Sequence, residues 1–415
     1  MTTDNGDAMD IRPIFSTLRR HKTAAALIVI EIALACAIIC NAIYLIDRRL
    51  DHMARPSGTL ENEILRIQMP SIDETADVDR RAGIARDLAA LRAISGVRHV
   101  ATVTQVPYGN SSSTSGVRLN PDQRNNTILA SPYLGSEDLL DTFGLQLVAG
   151  RRFNPDEFVD MGDISREGGG ARVPAAIVNR AMAERLFPGE DAIGKQFYSW
   201  GDAPIPIVGV VETLAMPNDN TGPGNATMLF PIRDDSNGIN YVIRTDPAQR
   251  RQVLDAAVAA LKQIDPNRVP VNSDLMTDLR EKYYREDRAM AMLLVVVCIA
   301  LLVVTALGIV GLASFWVQQR TKQIGIRRAL GATRGQILRY FQVENFLLAT
   351  IGIALGMLLA YGLNQLLMSR YELGRLPLMY LPAGAVVLWL LGQAAVYWPA
   401  RRAASVPPAV ATRSI

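Results

Sequence analysis

Residues 290–341 read MAMLLVVVCIALLVVTALGIVGLASFWV and then QQRTKQIGIRRALGATRGQILRYF. The first 28 residues carry no charged side chain, and about 20 mainly apolar residues suffice to cross a bilayer core. The rest is polar and basic: Arg320, Lys322, Arg327, Arg328, Arg334 and Arg339 occur with no acid until Glu344. An excess of Lys and Arg beside a span marks the cytoplasmic side. This passage sets the class of the protein: a helix crosses the membrane here and the chain emerges on the inner face.

Three other stretches are long and apolar enough to span. Residues 23–46 are interrupted only by Glu31 and Asn41; residues 346–368 carry Gly352, Gly356 and Gly362; residues 378–398 are closed by Pro399. Arg12, Arg19, Arg20 and Lys22 precede the first span, with no acid between Asp10 and Glu31, and Arg401, Arg402 and Arg413 follow the last with no acid at all. Both termini therefore join the basic segment inside, and the stretch between the first two spans, which mixes both signs, lies on the other side. A cleaved signal peptide does not fit the first stretch, because the apolar run is too long and the basic cluster begins well inside the chain. Acylation at Cys36 does not fit either, since the run continues to Ile46.

Composition agrees with a hybrid of a few spans and a large water-soluble part. The chain has 415 residues, 49% hydrophobic and 20% charged, against about 25% charged in a typical soluble protein. Its mean hydropathy of +0.13 excludes disorder. A net charge of +3, from 43 basic and 40 acidic residues, makes no case for nucleic acid as a partner. Cys36, Cys40 and Cys298 all lie in apolar runs, so the polar bulk of the chain has neither a disulfide framework nor a thiolate zinc site. His21, His52 and His99 are scattered, with no HExxH, which argues against a metal-dependent hydrolase. No metal ligands and no catalytic residues are assigned.

The external region shows a strand–helix–strand pattern twice. Residues 63–68 and 97–105 read as strands around a helix over 79–94, with Ile84, Leu88, Leu91 and Ile94 on one face. Residues 239–245 and 269–271 read as extended around a helix over 247–264, with Leu254, Ala257, Val258, Leu261 and Ile264 inward. Two βαβ units so far apart imply one α+β subdomain interrupted by a β-rich insertion, about residues 131–231. Residues 110–116, 167–170 and 217–225 are loops by composition. Residues 189–196, GEDAIGKQ, come near the phosphate-cradling pattern, but Gln196 replaces its final hydroxyl and a helical pattern precedes it instead of a strand. A nucleophile–base constellation is absent as well, so an enzyme of the external region is disfavoured.

The basic segment breaks at Gly331-Ala332-Thr333. Physically it is either an interfacial helix obeying the positive-inside rule or a short helix presenting its end to another protein. Ile324, Leu330, Ile337, Leu338 and Phe341 would face the bilayer or that partner. The run Lys322-Gln323-Ile324-Gly325-Ile326-Arg327-Arg328-Ala329-Leu330-Gly331-Ala332, followed by Glu344, resembles the signature of MacB/FtsX-like ABC permeases, with Gln323 in place of the family's usual Glu. The external region resembles the MacB-type periplasmic core independently, through Phe143-Gly144-Leu145, Ala149-Gly150-Arg151-Arg152-Phe153, Ala176-Ile177-Val178-Asn179, Leu186-Phe187-Pro188-Gly189, Ile193-Gly194-Lys195 and Ile207-Val208-Gly209-Val210-Val211. In that light the near-P-loop is a structural turn.

The resemblance implies an α-helical membrane protein of the bacterial inner membrane, with four transmembrane helices and a large α+β periplasmic domain. The expected layout is a cytoplasmic segment 1–22, spans at 23–46, 290–317, 346–368 and 378–398, a periplasmic core 47–289, a cytoplasmic coupling segment 318–345, a periplasmic loop 369–377 and a cytoplasmic tail 399–415. It also implies coupling to an ATPase through Ile326, Arg327, Arg328, Ala329, Leu330, Gly331, Ala332, Thr333 and Arg334. The implied partners are two ABC ATPase subunits, which bind ATP and Mg, and a second permease copy or paralogue; a periplasmic membrane-fusion protein is a further candidate. This chain itself would hold no cofactor and would not be an enzyme. ATP-driven movement of the spans and of a stalk over 273–288, with Leu275, Leu279 and Tyr283 on its apolar face, would export or extract peptide, antibiotic or lipoprotein-like cargo. The alternative is a signalling permease that switches a periplasmic partner such as a cell-wall hydrolase. Polar residues within spans are functional candidates: Glu31 and Glu344 lead, with Asn41, Asn345, Asn364 and Gln365. Glu344 and Asn364 sit near span ends, where headgroups are in reach, and Glu31 is placed for interhelical hydrogen bonding. Gly352-x-x-x-Gly356 suits close helix approach, within the chain or between chains.

Overall fold

The computed structural model describes residues 22–72, 77–110, 112–166, 172–218, 225–371 and 375–405. The predicted loop at 167–170 and most of that at 217–225 lie outside them, as does most of the N-terminal basic flank. The chain divides into a helical unit, Met1–Ala54 with Glu286–Ile415, and an α+β unit, Arg55–Arg285. The helical unit begins with α1 (Lys22–Ala54), whose 33 residues extend about 50 Å, well past a hydrocarbon core of about 30 Å.

The α+β unit starts with β1 (Ile64–Gln68), α2 (Asp77–Arg92) and β2 (Val97–Val103). The insertion follows and carries β3 (Ser115–Val117), β4 (Ile128–Leu134), α3 (Leu139–Phe143), β5 (Leu147–Gly150), β6 (Val159–Asp160), α4 (Met161–Arg166) and β7 (Ala176–Asn179). It continues with α5 (Arg180–Leu186), β8 (Gln196–Tyr198), β9 (Pro204–Val211), β10 (Thr227–Phe230) and β11 (Ile232–Arg233). The chain then returns through β12 (Asn240–Thr245), α6 (Arg250–Ile264) and β13 (Asn272–Leu275).

The outer four strands form one antiparallel sheet in the order β13-β1-β12-β2. Each βαβ unit is therefore split, because a strand of the other unit lies between its two parallel members. The register sets Leu65 opposite Ile243 and Leu275, and Ile67 opposite Tyr241. These side chains join Leu91 of α2 and Val253, Ala257 and Leu261 of α6 in one core. The last strand is 272–275, and the expected stretch 269–271 runs into it alongside residues 68–70. Val269 and Val271 are exposed and only their backbones bond, to Pro70 and Gln68.

The insertion is wider than 131–231, since β3 at 115 pairs with β4 and β11 ends at 233. Its main sheet runs β3-β4-β10-β7-β9-β5, with β8 on β9; β4–β10 and β7–β9 are parallel. Asn179 caps α5 by accepting from the Met182 amide at 3.0 Å. The near-P-loop is a turn into β8: Gly189 and Gly194 have φ of 74° and 80°, and the Lys195 ammonium pairs with Glu190 over the Phe187 ring. A lysine so engaged does not point at a phosphate.

After β13, α7 (Met276–Tyr283) leads back to the helical unit. The predicted stalk over 273–288 is thus not one helix. Leu275 closes a strand, Leu279 is buried in α7, and the helix resets at Tyr284, because these apolar positions serve the α+β core.

The helical unit resumes with α8 (Arg285–Gln319), α9 (Thr321–Ala329), α10 (Arg334–Tyr371) and α11 (Tyr380–Ala404). With α1, helices α8, α10 and α11 are long and apolar enough to span. Asp287 at the start of α8 pairs with Arg49 and hydrogen-bonds His52 at 3.0 Å, fastening α8 to the end of α1. Helix α11 continues through buried Pro399 to Ala404, so the proline does not close it. One lost backbone bond is tolerated where neighbouring helices enclose the site.

Small residues bring α1, α10 and α11 together. A Cβ on Gly352 would lie 2.9 Å from Ile32, one on Gly356 would lie 2.7 Å from the Ala33 carbonyl, and one on Gly384 would lie 2.5 Å from the Cys40 sulfur. The Gly352–Gly356 pair therefore acts within the chain. Asn41 adds an interhelical bond to the Ala360 carbonyl at 3.2 Å. Asn364 is buried and accepts from the Leu376 amide at 3.0 Å, so it closes the α10–α11 loop instead of reaching headgroups. Only 11% of the apolar window of α8 is buried, against 56% for α1, so α8 keeps most of its apolar surface facing outward.

Candidate coupling segment

Between α8 and α10 the chain makes a short helix with a defined stop and restart. Helix α9 ends at Leu330, and Gly331 takes φ +102°, a conformation that glycine adopts without steric cost. The Ala332 amide reaches back to the Arg327 carbonyl at 3.0 Å and the Gly331 amide to that of Arg328 at 3.1 Å. This is the glycine-terminated Schellman motif. Helix α10 then starts with a capping box: the Gln336 amide donates to the Thr333 hydroxyl at 3.3 Å, and the Thr333 amide donates to Gln336 Oε1 at 3.0 Å. The signal Thr333-x-x-Gln336 was present in the sequence, but reading Gly331-Ala332-Thr333 only as a break passes over it.

The predicted coupling residues divide between two faces of α9. Ile326, Ala329 and Leu330 face outward with Lys322, and Leu330 is 84% exposed. Ile324 and Gly325 are buried, and the Arg327 guanidinium turns toward α10, 5.1 Å from the Tyr340 ring centre. Ile337 and Phe341 are buried too, so with Ile324 they join the apolar core that seats the segment and are not part of its outward face. Leu338 packs half-buried against the same core. Gly331, Thr333 and Arg334 are exposed at the turn, Ala332 is half-buried, and Arg328 is half-buried on the flank of α9.

The seat is locked by an ion pair. Arg320, at the junction of α8 and α9, donates to both Glu344 oxygens at 2.9–3.1 Å and stacks on Trp316 with its guanidinium carbon 5.6 Å from the ring centre. Glu344 is 1% exposed and Arg320 8%. Glu344 therefore does not reach headgroups; the bidentate arginine draws it inward. Arg320 is the residue that the sequence reading missed as a site, and its guanidinium ties the end of α8 to α10. Glu31 lies against Gly308 of α8, where an added Cβ would run into its carboxylate oxygens. Among the described residues its carboxylate accepts no hydrogen bond, so close packing replaces the expected interhelical bond.

The family model for the MacB-like periplasmic core domain matches residues 23–263, and that for the FtsX-like permease C-terminal region matches 295–408. The chain belongs to the MacB/FtsX-like ABC permease family. The second match contains α9, its capped turn and Glu344. Among curated proteins, the macrolide export ATP-binding/permease protein MacB of Acinetobacter baylyi is 26% identical over 66% of this chain and 41% of its own length. That of Chromobacterium violaceum is 25% identical over 69% of this chain and 43% of its own length. The chain thus spans about two fifths of the MacB proteins it matches. The periplasmic region of MacB from Actinobacillus actinomycetemcomitans aligns with 56% of this chain and 97% of its own at 15% identity and a TM-score of 0.34.

Proposed function

We propose that this chain is the permease subunit of a MacB-like ABC assembly, which uses ATP hydrolysis by a separate ATPase to drive a conformational change in the α+β domain. The observation that carries this reading is the outward apolar face of α9, presented by a capped turn and tied to two spans by the Arg320–Glu344 pair. A force applied at Ile326 and Leu330 is transmitted directly to α8 and α10. Two ATPase subunits holding ATP and Mg, and a second permease copy or paralogue, complete the assembly. A periplasmic membrane-fusion protein is its further partner. The cargo class is peptide, antibiotic or lipoprotein-like. Purification of the tagged chain from its own membrane in mild detergent is expected to recover an ABC ATPase and ATP turnover with it; recovery with neither would overturn the proposal.

The same reading places α9 on the cytoplasmic side of the inner membrane, with both termini, and the α+β domain in the periplasm. Support comes from the acid-free basic run 320–343 beside α8. Ser113 and Gly335 are both exposed, and a Cβ at Gly335 meets no atom within 4 Å. In a background with Cys36, Cys40 and Cys298 changed to alanine, Ser113→Cys is expected to react in intact cells with a thiol reagent that does not cross the inner membrane. Gly335→Cys is expected to react only after permeabilisation. The reverse pattern would invert the topology.

A further inference from the structure

Beside the outward face of α9, a groove of about 290 Å³ opens between α9 and the start of α10. Its floor is Ile324, Ile337 and Phe341, which belong to the apolar core that runs on into the spans. Its rim is basic and amidic, with Arg327, Arg339, Gln323 and Gln336. No lining residue is acidic, and the nearby carboxylate of Glu344 is already taken by Arg320. Among the described residues, neither Arg327 nor Arg339 has an acidic partner: Arg327 stacks on Tyr340, and Arg339 is exposed. Gln336 Oε1 accepts from the Thr333 amide, which leaves its Nε2 hydrogens to donate into the groove.

We propose that this groove binds the phosphate headgroup of an anionic glycerophospholipid. Three features converge on that occupant. The position is where one candidate span ends and the next begins. The charge is complementary, since two unpaired guanidiniums meet an anion with no competing carboxylate. The polarity is graded, with donors at the rim and an apolar floor continuous with the membrane core, which suits a headgroup on an acyl chain and not a soluble anion. Basic pockets between membrane helices are the usual form of such sites. The lipid would wedge α9 against α10 from behind while the outward face stays free. Bilayer composition would then set the pose of the coupling helix.

The test uses the full chain in a neutral detergent, titrated with phosphatidylglycerol, phosphatidylcholine or inorganic phosphate and read by native mass spectrometry. Phosphatidylglycerol is expected to be retained over phosphatidylcholine. Arg327→Gln and Arg339→Gln are each expected to weaken that retention about fivefold, the loss for one basic residue at a membrane surface. Lys322→Gln, on the other face of α9, is expected to leave it unchanged. Ala332→Trp, which fills the groove without removing charge, is expected to reduce it. Arg339 is exposed and unpartnered, so its variant reports on binding even where the Arg327 variant folds poorly. Equal retention of the two lipids, an equal loss with Lys322→Gln, or displacement of phosphatidylglycerol by inorganic phosphate would each overturn the assignment. ATPase recovery is read independently, so failure here leaves the coupling proposal standing and the reverse also holds.

Discussion

Arg320→Ala is expected to destabilise the helical unit by about 3–5 kcal/mol, the usual consequence of leaving one partner of a buried ion pair without the other. Glu344 would remain almost wholly enclosed with no donor, and the stacking on Trp316 would go as well. Glu344→Gln is expected to cost a comparable amount, because it strands a guanidinium that is only 8% exposed. The double change Arg320→Met with Glu344→Leu removes both charges and is expected to recover most of the loss. Arg320→Lys does not substitute, since an ammonium lacks the planar fork that holds both carboxylate oxygens and stacks on indole. Thermal unfolding in detergent, arranged as a double-mutant cycle, measures the coupling. Additive losses would mean that the two side chains contribute separately and that the junction of α8 and α10 is held by apolar packing alone.

The spans were legible because length and polarity alone define them: a 28-residue run without a charge has one physical reading. The helices of the α+β unit were legible from period, with Leu91, Ala257 and Leu261 buried as their spacing requires. What periodicity does not carry is partner choice. Nothing local in 64–68 says that β12 and β13 will flank it, because those strands lie some 170 to 210 residues away along the chain. The same limit explains Arg320. A basic residue after a span satisfies the positive-inside rule, and only the tertiary fold shows that it turns back to Glu344. Ile324, Ile337 and Phe341 failed in direction: an amphipathic pattern shows that one face is apolar, not whether the protein or another phase covers it. In the coupling segment, the glycine stop was readable at Gly331. The division of α9 into an outward face and a groove face was not, because it depends on where α10 packs.

Leu330→Asp is expected to abolish ATPase recovery with the chain, and Ile326→Asp to weaken it strongly. Leu330 is 84% exposed at the end of a helix whose termination is fixed by Gly331, so its exposure is held by backbone geometry and is not a matter of rotamer. Burying such a side chain in a partner is worth about 1.5–3 kcal/mol, roughly 10- to 150-fold in affinity. An aspartate there loses that contribution and adds the cost of desolvating a charge. Leu330→Ala should fall between, keeping the helix while removing most of the contact area. None of these changes touches the Arg320–Glu344 pair or the groove, so the unfolding free energy of the isolated chain should hold within the range of surface substitutions, about 0.5 kcal/mol. The readouts are co-purified ATPase per chain and ATP turnover of the recovered complex in nanodiscs. Full assembly and turnover with aspartate at both positions would exclude the outward face of α9 as the docking surface. It would shift the contact to another segment, such as residues 11–20, which lie outside the described part of the chain.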